Sequence, residues 1–165
     1  MSLFAAQSLS LDELLTALDQ WVRWGWLRSL DRALVRWQLR QQPDTPAIVL
    51  LLTAFASHQV GRGHVCLDLQ ALLRHAGVTL ALPPERQRLS TEHQALLPER
   101  LLAQSLGTHD LQQYALTSLP LLAAQLRDYS GILQMAETRL YLRRYFDSEQ
   151  RVAAAIRARL QTILP

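Results

Sequence analysis

Four side chains of metal-binding type lie close together in the chain: His58, His64, Cys66 and His75. His64-x-Cys66 puts both side chains on one side of an extended segment, an arrangement a metal could use. A structural zinc site wants four ligands held closely, and no Cys-x-x-Cys or His-x-x-x-His pair accompanies them. The plainer reading makes Cys66 a small buried hydrophobe. It makes His64 a hydrogen-bonding partner of the turn built by Gly61 and Gly63. No metal is therefore expected. Nucleophilic chemistry fares no better. There is no Gly-x-Ser-x-Gly elbow, and a histidine two residues from a cysteine is not by itself a dyad. The carboxylates Asp12, Glu13, Asp68, Glu99, Asp147 and Glu149 sit at predicted helix starts, where capping accounts for them. No catalytic residue is expected.

The next candidates are aromatic and cationic. From Arg139 to Phe146 the residues alternate, with Arg139, Tyr141, Arg143 and Tyr145 on one face and Leu140, Leu142, Arg144 and Phe146 on the other. Three readings stay open. The Arg/Tyr face could stack and neutralise single-stranded nucleic acid. It could anchor a protein interface, where Arg and Tyr concentrate. Or Tyr141 could simply pack on the last helix. Trp21, Trp24 and Trp26 crowd one helix end. Three such side chains cannot all enter one small core, so at least one should be exposed or covered by a partner. The candidate interface anchors are accordingly Trp21, Trp24, Trp26, Tyr141, Arg143 and Tyr145. Gly61, Gly63, His64 and Cys66 form a structural turn.

These residues must be positioned by a mainly α fold. The pattern predicts a small helical bundle around a buried central helix, with one short β-hairpin near the C-terminus. Ser10 and Glu13 open a helix through Val22 as a capping box, and Gly25 ends it. A second helix, Leu30 to Gln41, should turn Leu30, Leu34 and Trp37 inward, with Val35 beside them. Arg28, Arg32, Arg36 and Arg40 then line one flank as a solvated basic face. Thr45-Pro46 opens the third helix. Its residues Ala47–Ala56 are almost all apolar, which predicts the buried centre. Gly61 is expected as its left-handed C-cap. Asp68 should cap a short helix, Leu69 to Ala76, closed by Gly77.

Residues 78–98 lose periodicity and hold Pro83, Pro84 and Pro98, which reads as a surface segment. Helices are expected from Pro98 to Ser105, stopped by Gly107, and onward to about Arg127 with an interruption at Pro120. Ile132–Met135 and Arg139–Tyr145 should form the hairpin around Ala136–Thr138. Asp147 or Ser148 should cap a last helix reaching Pro165, with Val152, Ile156, Leu160 and Ile163 on one face. Two parts are expected: a helical interaction domain at 1–130, and the hairpin with its helix at 131–165.

Composition excludes several classes. Of 165 residues, 36 are Leu, all 17 basic residues are Arg and none is Lys. Without Lys there is no phosphate-binding loop ending in Gly-Lys-Ser/Thr and no Schiff-base lysine. One cysteine forms no internal disulfide, which suits a reducing cytosol. Pro46 to Ala56 is about half the apolar length of a membrane span. Met1–Gln7 lacks the features of a signal peptide. A net charge of +3 is weak evidence for nucleic acid.

Two stretches resemble a known family. Positions 51–69 read Leu-Leu-Thr-Ala-Phe-Ala-Ser-His-Gln-Val-Gly-Arg-Gly-His-Val-Cys-Leu-Asp-Leu, and 139–153 carry Arg-Leu-Tyr-Leu-Arg-Arg-Tyr-Phe-x-x-Glu-x-x-Val-Ala. With 30–47 these resemble the N-terminal domain of RecD, the alpha subunit of the bacterial exonuclease V (RecBCD) complex. Residues 78–130 match loosely. The turn Ala136-Glu137-Thr138 lacks the Gly or Asp usual there. The resemblance implies a parent subunit that is an ATP-dependent 5′-to-3′ DNA helicase in a bacterial cytoplasmic complex acting on DNA ends in double-strand-break repair. It implies that this domain holds no ATPase residue and that ATP and Mg belong to a motor outside these residues. It further implies docking on a RecC-like scaffold subunit, with a RecB-like motor-nuclease in the same complex. DNA would be met mainly through that complex, and no membrane is involved. The chain is thus expected to be that domain apart from its motor.

Overall fold

The first helix begins where a hydroxyl meets unpaired amides. In the computed structural model, which describes residues 9–129 and 131–163, the Ser10 hydroxyl accepts from the Glu13 amide at 3.1 Å and caps α1 (Leu11–Arg23). Gly25 then turns the chain at φ 76°, a left-handed conformation that costs glycine nothing. α2 (Ser29–Gln41) and α3 (Ala47–Gly61) follow. Beyond them come β1 (Leu67–Asp68), α4 (Leu69–Arg74), α5 (Ala76–Leu80), α6 (Thr91–Ala95), α7 (Pro98–Leu106), α8 (Leu111–Thr117) and α9 (Leu119–Leu126). β2 (Leu133–Ala136), β3 (Arg139–Leu142) and α10 (Arg143–Ile163) complete the described chain. The fold is mainly α, as the periodicity predicts. None of these helices is long and apolar enough to cross a membrane.

α3 is the axis. Every residue from Ala47 to Gln59 is buried, because a helix apolar all round must be enclosed. It is enclosed by α1, α2, α5, α7, β1 and β3. Trp21 lies against Phe55 with ring centroids 5.9 Å apart. The sheet has order β1-β3-β2, all antiparallel. Leu140 pairs with Leu67 on one side and Met135 on the other, so the core runs through β3.

Several boundaries differ from the sequence reading. Gly61 belongs to α3, and the left-handed position falls on Gly63 at φ 91°. Gly61 is needed for another reason: a Cβ there would lie 2.5 Å from the Arg28 guanidinium carbon. Asp68 does cap α4, accepting from the Ala71 amide at 3.1 Å. That helix stops at Arg74, though, and Gly77 lies inside α5. Ala136 is part of β2, leaving Glu137–Thr138 as the turn, with Glu137 at φ 58°. The small extended segment expected from His64 falls as β1 at Leu67–Asp68; its pairing with β3 had no signal, because two residues show no period. The second hairpin strand ends at Leu142, and α10 starts at Arg143, ahead of the expected caps Asp147 and Ser148. Arg143 and Asp147 pair at 3.3 Å across one helical turn, as residues four apart do on a helix and do not along a strand. The predicted helix end at Pro165 lies outside the described residues.

Candidate docking surface

α2 is built against its own hydrophobic pattern. Leu30, Leu34, Trp37 and Val35 were expected inside; Val35 is buried as expected and Leu34 is half-buried, but the other residues that turn inward are Asp31 and Gln38, which follow Leu30 and Trp37. Asp31 and Gln38 are each the next residue along, so at both ends the inward position is displaced by one residue, about 100°. Leu30 and Trp37 are left 62% and 45% exposed. A polar network sets the rotation. Asp31 is fully buried; its carboxylate accepts from the Arg28 guanidinium at 2.8 Å, the Arg28 amide at 2.8 Å and the Ser57 hydroxyl at 2.6 Å. Arg28 also donates to the Ser57 carbonyl, at 2.9 Å across the Gly61 gap. A carboxylate this well satisfied is tolerated inside where a lone one is not. Of the expected basic flank, Arg32 and Arg36 both reach Asp19, at 3.2 and 3.0 Å.

The outward stripe of α2 is one wall of a groove of about 490 Å³. α3 contributes Ser57 and Val60, and the sheet region Ile132 and Leu142. The first turns of α10 supply Arg143, Arg144, Tyr145 and Asp147 as the opposite wall. Arg143 is engaged, donating to Asp147 and to the Gln134 side chain at 3.3 Å. The groove lining is mainly apolar and three of its four charged residues are arginines, a surface suited to bind another apolar surface.

The predicted anchors divide. Arg143 is exposed and Tyr145 is 38% exposed; both line this groove, though on a helix rather than a strand. Tyr141 is buried and stands edge-on to Phe146 of α10 with centroids 5.3 Å apart. It packs on the last helix, and the proposed Arg/Tyr strand face does not exist. Trp21 and Trp26 are also buried, while Trp24 is half-buried. Their cover is intramolecular. The Trp21 indole donates to the Leu96 carbonyl at 2.7 Å, and that of Trp26 to the Gln87 side chain at 2.7 Å. His93 packs on Trp24 at 4.4 Å and on Trp26 at 5.6 Å. Residues 78–98 are what the tryptophans bind. No motif announces this, since Gln87 and His93 are distant in sequence and polar.

The metal-type residues do not converge. Among the described residues no group of three or more His, Cys, Asp or Glu is placed to hold a metal. His58 is buried, and its Nε2 meets the Leu80 carbonyl at 2.8 Å. A carbonyl only accepts, so Nε2 carries the hydrogen. Burial holds this histidine below its usual pKa, against the opposing pull of the Leu80 carbonyl and Asp31. His64 and His75 are exposed and Cys66 is half-buried.

Sequence comparison matches residues 23–141 to the family described as RecBCD enzyme subunit RecD, N-terminal domain. The matched span runs from the end of α1 to the middle of β3 and takes in α2, the central α3 and the Trp-covering segment. Comparison with curated proteins and with solved structures returned no match. A family match across most of the chain makes this protein a member of the RecD N-terminal domain family.

Proposed function

We propose that the chain is a subunit-docking domain, which joins the motor of a RecD subunit to a RecC-like scaffold within a RecBCD-type complex. The family context supports the complex. The observation that carries docking is α2, which buries Asp31 and Gln38 while turning Leu30 and Trp37 to solvent. The Asp31 network fixes this rotation, and the apolar stripe it leaves facing water is the kind of surface a partner covers. In this reading the chain contributes adhesion rather than chemistry. The parent subunit is an ATP-dependent 5′-to-3′ helicase whose ATP and Mg sites lie outside these residues. A RecB-like motor-nuclease completes a bacterial cytoplasmic assembly that unwinds and degrades DNA ends in recombinational repair. The alternative of single-stranded DNA binding by residues 139–145 lacks a platform, because Tyr141 is buried.

The test is co-elution of the 165-residue chain with the scaffold subunit. Leu30→Asp with Trp37→Asp should weaken the complex at least tenfold, about 1.4 kcal/mol, with an unchanged helical circular dichroism spectrum. Unaltered co-elution would exclude this groove as the docking face.

A further inference from the structure

Resting on the docking reading, we propose that the occupant of the groove is an amphipathic helix of the partner, with an apolar stripe and acidic flanks. It lies along α2 and continues down one face of α10.

Two observations lead there. The first is continuity. Tyr145 lines the groove. On a helix of 3.6 residues per turn, Tyr145, Val152, Ile156, Leu160 and Ile163 fall within roughly 80° of one another. The last four are 57%, 54%, 52% and 75% exposed. The stripe on α10 therefore prolongs the α10 wall of the groove. From Gln150 to Ile163 every side chain is exposed except that of Ala153, so this part of the helix gains nothing from the body it leaves. Apolar residues spaced four, four and three apart are the pattern that a facing helix matches.

The second observation is charge. α10 holds Arg143, Arg144, Arg151, Arg157 and Arg159 against Asp147 and Glu149, a surplus of three. The whole chain has a net charge of +3, so the remainder is balanced and α10 carries the imbalance. A second copy would set that surplus against itself. A phosphate backbone would neutralise the arginines but leave the α10 stripe uncovered. An acidic-flanked helix answers both features. α10 is 21 residues long, about 31 Å, so a partner helix of similar length covers it.

Two synthetic 21-residue helices with one Leu/Ile stripe, flanked by Glu in one and Lys in the other, provide the probe. Binding to the full chain is read by fluorescence anisotropy at about 50 mM and about 500 mM salt. The Glu peptide should bind at least tenfold tighter at low salt, with the advantage shrinking at high salt. Ile156→Asp with Leu160→Asp should abolish binding, while Val78→Asp, at an exposed site outside the groove, should not. Equal affinity for the two peptides, or indifference to the Asp pair, overturns the proposal. So does tighter stripe-dependent binding of a single-stranded oligonucleotide or of anionic vesicles, or a dimer that the Asp pair dissolves. The scaffold subunit in the same assay separates the two readings. If it binds wild type and the Asp pair alike, the acidic-helix inference falls and docking stands. If it does not bind while the Glu peptide does, docking falls and the surface chemistry stands.

Discussion

Gln38 places both amide atoms in the interior with no hydrogen-bond partner among the described residues, and its side chain is nearly inaccessible. An unsatisfied buried amide is destabilising. Gln38→Met keeps the volume and removes the polar atoms, so it should raise stability by about 1 kcal/mol, read as a higher urea midpoint. Tyr114 has a related condition. Its hydroxyl is buried without a partner among the described residues, and burial pushes its pKa up to about 12. His58 makes the domain sensitive to acid. Burial lowers its pKa in the folded state from the ordinary 6.5. As pH falls below 6.5, the unfolded chain takes up a proton that the folded chain refuses. Stability should therefore decline with falling pH from 6.5 down to the folded-state pKa and level off beneath it. His58→Gln should flatten that slope in urea titrations between about pH 5 and pH 8.

Between elements, the contact that decides most is the crossing of α2 over the end of α3. Arg28 bridges Asp31 and the Ser57 carbonyl only because Gly61 leaves room for its guanidinium. Alanine in a helix is ordinarily favoured over glycine by about 1 kcal/mol. Here Gly61→Ala should instead destabilise by about 1–2 kcal/mol, because displacing Arg28 strips a partner from a buried carboxylate. Thermal unfolding followed by circular dichroism measures this. Gly61 was legible in sequence as a turn glycine, and it proved to be a clearance glycine. The distinction is invisible locally, since the clearance is for a side chain more than thirty residues earlier. The tryptophan cluster carries the same lesson. Trp24 and Trp26 look like surface anchors until Gln87 and His93 are brought onto them by a segment with no period of its own.

Over the whole molecule, apolar residues fall into two populations that composition cannot separate. Leu51 is fully buried in the axial helix, and Leu51→Ala should cost about 3 kcal/mol as a cavity. Ile156 projects from α10 into solvent, so Ile156→Ser should change folding stability by less than about 0.5 kcal/mol. A denaturation experiment on both variants checks the division. A large loss at Ile156 would mean that α10 folds back on the body, and the surface proposed for the partner helix would not exist.

The amino-acid sequence by itself determined the helical class, the caps at Ser10 and Asp68, the buried axis at 47–56 and the family. Those features rest on local periods, capping chemistry and residue order, which need no distant contact. Tertiary structure alone decided which side of α2 faces water, which tryptophans are covered and where the apolar groove opens. A helix of mixed pattern has two admissible rotations. Here the choice belongs to Asp31, whose carboxylate finds its donors in Arg28 and Ser57 when the helix turns Leu30 and Trp37 outward.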